Sequence, residues 1–288
     1  MSLAELANDA GCVAPISIRV NPDVDAGTHP YISTGLRENK FGVDVTRARQ
    51  LYQIADEHPA LSPVGVDCHI GSQIEEVAPF IQSLECLLDL VHDLLTLGIR
   101  LQHIDLGGGL GVNYHTETPP SIHDYVAVLK ERLQDQALEL VLEPGRSIVA
   151  EAGALITEVL YLKPTDDKHF AIVDAAMNDL LRPALYSAWQ DIQPVTLQDG
   201  ETHVWDVVGP ICETGDFLGK DRAMALSQGD LLSIMGAGAY GFGMASNYNS
   251  RPRVAEIMVQ GKTTHLIGKR ENLSDLWQRE VIPSGETS

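Results

Sequence analysis

Four short apolar segments in the first half of the chain alternate with stretches of helical periodicity. The clearest helical stretch carries apolar side chains at intervals of three and four residues: Ile81, Leu84, Leu88, Val91 and Leu95. Asp44 precedes another such stretch, at 45–56, and Ser121 with Asp124 begins a third, as helix-capping residues do. Strands alternating with helices form parallel sheets. The sequence therefore predicts an α/β fold with strands at residues 15–20, 63–70, 101–106 and 138–143.

Each of these predicted strands ends in residues that can do chemistry. Asn21 follows the first strand, His69-Ile-Gly-Ser72 ends the second, Gly107-Gly-Gly109 follows the third, and Glu143-Pro-Gly-Arg146 ends the fourth. The carboxyl ends of parallel strands lie at one edge of a sheet, where α/β proteins carry their sites. This regularity predicts a (β/α) barrel or another open α/β sheet with its functional groups at that edge.

Opposite charges three residues apart end the fourth strand, in the sequence VLEPGRS. Glu143 and Arg146 could form an exposed ion pair, which would contribute almost nothing to stability. They could instead face a ligand with a basic ring nitrogen and an anionic group. The strand alone does not decide between these two hypotheses.

The glycines at 107–111, GGGLG, follow a strand, but the loop VNYHTETPPS comes next, so no helix is presented to a dinucleotide pyrophosphate. Their backbone amides could cradle a monophosphate together with Ser72, and a merely tight turn explains them equally well. A metal site is not expected, because the spacing of the histidines at 69, 103, 115 and 123 does not match a ligand set.

After about residue 150 the pattern changes to short strands separated by loops, with a helix-like stretch near 178–189. This predicts an antiparallel β domain. Three places in it carry candidate functional groups. Cys212 and Glu213 lie between turn glycines, Arg182 and Tyr186 are one helical turn apart, and Tyr240 is flanked by small residues.

The amino-acid composition limits the classes of molecule that this chain is expected to bind. Forty acidic and twenty basic residues give a net charge of -20, which repels nucleic acid and anionic membrane. The four cysteines are scattered and form no CxxC pair, which favours a reducing cytoplasm over a disulfide framework. We find neither a signal-peptide pattern at the start nor an apolar stretch of membrane-spanning length.

Taken together, the motifs resemble one enzyme family. HIGSQ, DLGGGLG, EPGR, RPALY, GPICETGD and GAYGFGMASNYNSRPR, in this order, resemble diaminopimelate decarboxylases, and VNPDVDAGTHPYISTGLRENKFG at 20–42 is also similar. These are fold-type-III enzymes that depend on pyridoxal 5'-phosphate. The resemblance implies a (β/α)₈ TIM-type barrel followed by a β-barrel or sandwich domain, in a homodimer with shared active sites. Residues 1–150 would then be the later part of the cofactor-binding barrel, and 151–288 the β domain that contributes substrate-binding and proton-donor residues.

The resemblance also implies roles for individual residues. Glu143 would pair with the pyridine nitrogen of the cofactor, and His69 would stack on its ring. The cofactor-binding residues would be His69, Ser72, Gly107, Gly108, Gly109, Glu143, Pro144, Gly145, Arg146 and Tyr240.

The substrate, meso-2,6-diaminopimelate, is an amino acid at both ends, so its far end needs a cation and an anion. Arg182 and Glu213 would supply that pair. Cys212, delivered from the partner subunit, would protonate the carbanion left after decarboxylation to L-lysine. The substrate-binding residues would be Arg146, Arg182, Tyr186, Glu213 and Tyr240.

One departure from the family stands out. Its members carry the Schiff-base lysine on an early barrel strand, in a motif like YAVKAN, and none of the seven lysines of this chain has that context. We therefore expect the first barrel units to be missing and the isolated chain to be inactive. The alternatives are another fold-type-III amino-acid decarboxylase and a catalytically inert homologue with a binding or regulatory role.

Overall fold

In a computed structural model that describes residues 2–27 and 40–283, the chain divides into two units, Met1–Ile148 and Val149–Ser288. The middle of the 20–42 motif, residues 28–39, lies outside the described residues.

The first unit is built on a parallel sheet of four strands: β1 (Ala14–Arg19), β2 (Leu61–Asp67), β3 (His103–Asp105) and β4 (Glu139–Val141). They pair in chain order, β1-β2-β3-β4, and every pairing is parallel. A doubly wound sheet reverses its strand order at a switch point, whereas a (β/α) barrel does not. The order of the described strands is thus that of a barrel, and all four predicted strands are confirmed. β3 and β4 are shorter than predicted, β1 begins one residue earlier, and β2 begins two residues earlier and ends three residues earlier.

The two faces of this sheet differ in chemistry because side chains alternate along a strand. Ile18, Val66, Ile104 and Leu140 share one register row and belong to the apolar core beneath the helices. The next row carries Arg19, Asp67 and Asp105 on the opposite face. The apolar row packs the sheet against its helices, whereas the charged row takes no part in that core.

The described helices here are α1 (Leu3–Asp9), α2 (Val45–Asp56), α3 (Ala78–Thr96), α4 (Ile122–Leu133) and the short α5 (Arg146–Val149). Of these, α2, α3 and α4 supply side chains to the core on the apolar face of the sheet. The predicted caps are confirmed, since Asp44 Oδ1 accepts from the Arg47 amide at 3.0 Å and Ser121 Oγ from the Asp124 amide at 3.1 Å. Helix α1 was not predicted, although Ser2 and Glu5 form a reciprocal capping box at its first turn.

The predicted apolar stripe of α3 is partly wrong. Leu84 and Val91 are buried as expected, but Leu95 is 45% exposed and Leu94 is fully buried in its place. The sequence LLDLVHDLL offers two overlapping stripes at helical spacing, and packing against the sheet selects one of them.

The second unit contains a six-stranded mixed sheet of order β7-β10-β5-β6-β8-β9 and a separate two-stranded hairpin. The strands of the sheet are β5 (Leu155–Pro164), β6 (His169–Val173), β7 (Ile192–Pro194), β8 (His203–Val208), β9 (Phe217–Met224) and β10 (Leu231–Ile234), and those of the hairpin are β11 (Glu256–Gln260) and β12 (Thr263–Gly268). Short 3₁₀ turns lie at Ala150–Ala152, Phe242–Met244, Tyr248–Ser250 and Leu273–Leu276.

The prediction of an antiparallel β domain is wrong at one strand pairing. β6 and β8 run parallel, because the chain between them crosses over through β7 and a helix, α6, at Arg182–Tyr186. This helix is all that forms of the helix-like stretch expected near 178–189. It ends at Ser187, whose φ of 51° turns the chain out of the helix.

Among the described helices, the structure contains none long and apolar enough to cross a membrane.

We predict that Asp44→Ala lowers the free energy of unfolding by about 1 kcal/mol, because the first turn of α2 loses its side-chain cap. Urea denaturation measures the change. Asp44→Asn, which keeps the capping oxygen and removes the charge, is the control and should lose much less. Equal losses in the two variants would assign the effect to charge rather than to capping.

Candidate functional site

The ends of three parallel strands meet in one group of loops, residues 69–74, 107–111 and 143–146, called here the strand-end cluster. The Glu143 amide donates to Gly107 O at 2.8 Å, and the Ile74 amide donates to Gly109 O at 2.9 Å. The Gly108 amide donates to His69 Nδ1 at 3.2 Å. The motifs HIGS, GGG and EPGR, which lie far apart in sequence, therefore form a single site.

The glycines of this cluster are required by the protein's own backbone. A Cβ on Gly108 would lie 2.2 Å from Glu143 O, and one on Gly109 would lie 2.4 Å from Gly71 O. Gly107 and Gly109 also have φ of 65° and 112°, where side chains are strained. Close packing thus accounts for the triglycine, and its role as a phosphate cradle stays a prediction.

Arg146 is held inside the cluster by two hydroxyl groups. It is only 6% exposed. One guanidinium nitrogen donates to Tyr114 Oη at 2.7 Å and another to Ser72 Oγ at 2.9 Å. The hypothesis of an exposed surface ion pair with Glu143 is therefore wrong, because burial excludes Arg146 from the surface. Because two of its nitrogens are hydrogen-bonded, the planar guanidinium has a fixed orientation in which it can bind an anion.

Sequence reasoning missed Tyr114 and the residue that fixes its loop. Glu117 Oε2 accepts from the backbone amides of Tyr114, His115 and Thr116, at 3.0, 2.7 and 3.1 Å. These bonds hold the pKa of Glu117 below its usual value against the opposing effect of burial. No pattern in the loop VNYHTETPPS distinguishes these residues from an ordinary turn.

His69 is held as a neutral ring with a defined orientation. Burial, and secondarily the positive charge of Arg19, lower its pKa below the ordinary value of 6.5. Because Nδ1 accepts from the Gly108 amide, the proton of the neutral ring lies on Nε2. The ring is therefore oriented by the neighbouring glycine loop.

Negative charge is concentrated near Glu143. Burial raises the pKa of Glu143, and the carboxylates of Asp105 and Asp67 raise it further, while Arg19 opposes them. Burial raises the pKa of Asp67 as well. Arg19 donates to His69 O at 3.3 Å. A cation or an N–H donor placed against Glu143 would relieve this repulsion. In the sequence, charged residues that alternate with apolar ones along these strands could have revealed the row of Arg19, Asp67 and Asp105.

In the second unit, Cys212 and Glu213 lie on an exposed loop that a buried carboxylate fixes. Asp216, 3% exposed, accepts from the Ile211 amide at 2.8 Å and from the Met177 amide at 2.7 Å. Asp216 is the last residue of the motif GPICETGD, so this motif carries its own anchor. Tyr248 donates its hydroxyl hydrogen to Glu213 Oε1.

The other predicted residues of this unit differ in exposure. Arg182 is buried and donates to Gln190 Oε1, and the Gln190 amide in turn donates to Met235 O at 2.7 Å. Tyr186, at the end of α6, is half-buried. Tyr240 is 46% exposed with a φ of 57°, a conformation that non-glycine residues adopt only when held there.

No group of three or more histidine, cysteine or carboxylate side chains in the described part of the chain is arranged to hold a metal ion.

Comparison with known proteins identifies relatives of the whole chain. The family model described as pyridoxal-dependent decarboxylase, pyridoxal binding domain, matches residues 1–150. The diaminopimelate decarboxylase of Vibrio cholerae is 56% identical over 281 residues, which is 97% of this chain and 67% of that protein. That of Pseudomonas aeruginosa is 57% identical over 280 residues, 97% of this chain and 68% of that protein. The chain thus spans about two thirds of the length of these relatives.

Among solved structures, diaminopimelate decarboxylase from Helicobacter pylori complexed with L-lysine matches with a TM-score of 0.92 and 46% identity. The match covers 96% of this chain and 69% of that one. Together with the strand order, it confirms the expected fold class, a TIM-type barrel followed by a β domain.

We predict that His69→Asn weakens the pH dependence of stability. The lowered pKa means that the folded state binds fewer protons than the unfolded state below about pH 6.5, so stability falls as the pH falls through that value. The side-chain oxygen of the introduced asparagine could accept from the Gly108 amide, and an asparagine does not titrate. Urea unfolding at about pH 8 and about pH 5 measures the difference.

The control is His92→Asn, at an exposed position of α3 outside the strand-end cluster, which shows what a histidine-to-asparagine change does by itself. An equal pH dependence in wild type and His69→Asn would show that His69 does not titrate in a shifted range.

Proposed function

Because the chain belongs to the diaminopimelate decarboxylase family of pyridoxal-dependent enzymes, we propose that it serves the decarboxylation of meso-2,6-diaminopimelate to L-lysine and carbon dioxide, in lysine biosynthesis. The observation that carries this proposal is the strand-end cluster, in which HIGS, GGG and EPGR meet through direct hydrogen bonds.

The donor set of the cluster fits pyridoxal 5'-phosphate. Glu143, whose pKa is raised by burial and by its acidic neighbours, suits a ring nitrogen that carries a proton. The Ser72 hydroxyl accepts from Arg146 and still has its own hydrogen to donate to a phosphate, and the neutral ring of His69 offers a flat face. The remaining candidates for holding the cofactor are Gly107, Gly108, Gly109, Pro144, Gly145, Arg146 and Tyr240.

When bound, the cofactor supplies an electron sink for the bond to the departing carboxylate. The protein's part is to hold charge and protons in place. Glu143 keeps the ring nitrogen protonated, His69 keeps the ring from tilting, and Arg146 orients a substrate carboxylate with the fork that Ser72 and Tyr114 fix.

In this proposal, side chains of the second unit select the substrate. Arg182 binds the far carboxylate of the substrate and Glu213 the far ammonium, with Tyr186 and Tyr240 completing the pocket. A substrate that is zwitterionic at both ends needs this pair of charges, whereas a simple diamine precursor has no carboxylate for Arg182. Residues 151–288 are thus the substrate-selecting part and residues 1–150 the cofactor-binding part.

Cys212 is the proton donor in this proposal, since a thiol can give a proton to a carbanion and the exposed loop leaves it accessible. We further propose a homodimer in the cytoplasm in which Cys212 and Glu213 act in the site of the partner subunit.

A second candidate is a homologue that binds the cofactor or a partner without turnover. One observation favours it for the 288-residue chain. None of its seven lysines, Lys40, Lys130, Lys163, Lys168, Lys220, Lys262 and Lys269, lies on β1–β4 or in the strand-end cluster. We propose that this chain alone lacks the residue that attaches the cofactor covalently.

We predict that Arg182→Ala, in a catalytically active form of the protein, lowers kcat/KM for meso-2,6-diaminopimelate. The far carboxylate of the substrate loses its cation, which costs about 2–5 kcal/mol of transition-state stabilisation. Steady-state kinetics measure it. Arg182→Lys, which keeps the charge, should lose less. Unchanged kinetics in Arg182→Ala would favour another amino-acid substrate.

We also predict that the 288-residue chain, incubated with pyridoxal 5'-phosphate and reduced with borohydride, shows no stoichiometric cofactor adduct on any of its seven lysines. It should likewise show no repeated turnover of meso-2,6-diaminopimelate. Intact-mass and peptide mass spectrometry test this, with an active family member as the positive control. A stoichiometric adduct on one lysine would contradict the prediction, and repeated turnover would discard the second candidate.

A further inference from the structure

One exposed segment, residues 246–251, contacts both members of the Cys212–Glu213 pair. Tyr248 donates its hydroxyl hydrogen to Glu213 Oε1, and Asn249 Nδ2 lies 3.9 Å from Cys212 Sγ, within hydrogen-bonding range of a sulfur acceptor. Consecutive residues of one segment therefore touch the two groups to which the proposed function gives separate tasks.

The segment is fixed at both ends to the same buried residue. Asn178, 2% exposed, accepts from the Ser246 amide at 2.9 Å through its backbone oxygen and donates its side-chain amide to Ser246 O at 3.3 Å. At the other end, Arg251 Nε donates to Asn178 Oδ1 at 2.8 Å. Arg251 also lies 3.8 Å from the carboxylate of Asp179. A short segment fixed at both ends has little freedom in the middle.

The backbone between these anchors is in an unfavourable conformation. Asn249 and Ser250 have φ of 56° and 55°, the left-handed region, which costs roughly 1–2 kcal/mol for a residue with a side chain. Asparagine tolerates it better than most residues. Strain of this kind persists where the surrounding contacts enforce it, and here it turns the Asn249 amide toward Cys212.

We propose that Tyr248 and Asn249 are positioning residues for Glu213 and Cys212, an inference that rests on the proposed function of those two. The Asn249 amide, directed at the Cys212 sulfur, fixes the position of the atom that carries the proton in the proposed function. A carboxylate accepts several hydrogen bonds, so the Tyr248 hydroxyl can orient Glu213 and leave acceptor sites for a substrate ammonium.

The test for Asn249 uses the 288-residue chain without cofactor or substrate. Cys212 is alkylated with iodoacetamide at fixed pH, and its rate is followed by peptide mass spectrometry. Asn249→Asp keeps the size of the side chain, removes the donor and adds a negative charge near the sulfur, so alkylation should slow by about three- to tenfold. Asn249→Gly, which removes the donor without adding a charge and also relieves the backbone strain, should slow it less.

Exposed Cys12, in the first unit, is the internal control and should react at the same rate in every variant. Unchanged or faster alkylation of Cys212 in Asn249→Asp would overturn the role of Asn249. Circular dichroism confirms that each variant is folded before its rate is interpreted.

The test for Tyr248 is carbodiimide labelling of Glu213, again read by mass spectrometry. Tyr248→Phe removes the hydroxyl that occupies the carboxylate, so Glu213 labelling should rise about two- to threefold. Glu76, exposed in the other unit, is the internal control. Equal labelling of Glu213 in wild type and Tyr248→Phe would overturn the role of Tyr248.

These outcomes are independent of the decarboxylase proposal. If the alkylation and labelling results are as expected but Cys212→Ala leaves the decarboxylation rate of an active form unchanged, the positioning contacts stand and the proton-donor role fails. If the decarboxylase proposal holds and the Asn249 and Tyr248 variants behave as wild type, only the positioning role fails.

Discussion

The in-order parallel pairing of β1 to β4 is the constraint on which the first unit depends. Parallel strands all end at one edge, so three loops that lie far apart in sequence are forced into contact there. Their contact is so close that Gly108 and Gly109 have no room for a side chain. The cost of that packing is offset by the apolar rows on the other face, where Val66 and Ile104 are fully buried under α2, α3 and α4.

The second unit differs from the first, because its candidate residues lie on loops and on the short helix α6 rather than at the ends of parallel strands. Loops need buried polar anchors to hold a defined position, since a buried polar group without its partner costs roughly 1–3 kcal/mol. Asp216 anchors the Cys212–Glu213 loop, Asn178 anchors the 246–251 segment, and Gln190 holds Arg182. These three residues are at most 3% exposed. They are far from obvious in sequence, yet they determine where the charged groups lie.

The charged side chains of the two units favour different chemical groups in a ligand. The first unit gathers Asp67, Asp105 and Glu143 around one Arg19, so it favours a positively charged or N–H-bearing ring. In the proposed function, the second unit contributes Arg182 and Glu213, the opposite charges that a zwitterion requires. A cofactor with a protonated ring nitrogen and a substrate with a free amino-acid end satisfy both demands. That match is the physical basis of the proposed decarboxylase function.

The sequence by itself determined the class of fold, the four parallel strands, the caps at Asp44 and Ser121 and the strand-end motifs, because these depend on local periodicity and on side chains close in sequence. Only the tertiary structure decided that Leu94 rather than Leu95 is buried, that β6 and β8 are parallel, and that Tyr114 clamps Arg146. Each of these follows from contacts between residues distant in sequence. Two residues or two strand pairings can fit the same sequence pattern equally well. Only the packing of the folded chain then decides which of them is buried or formed.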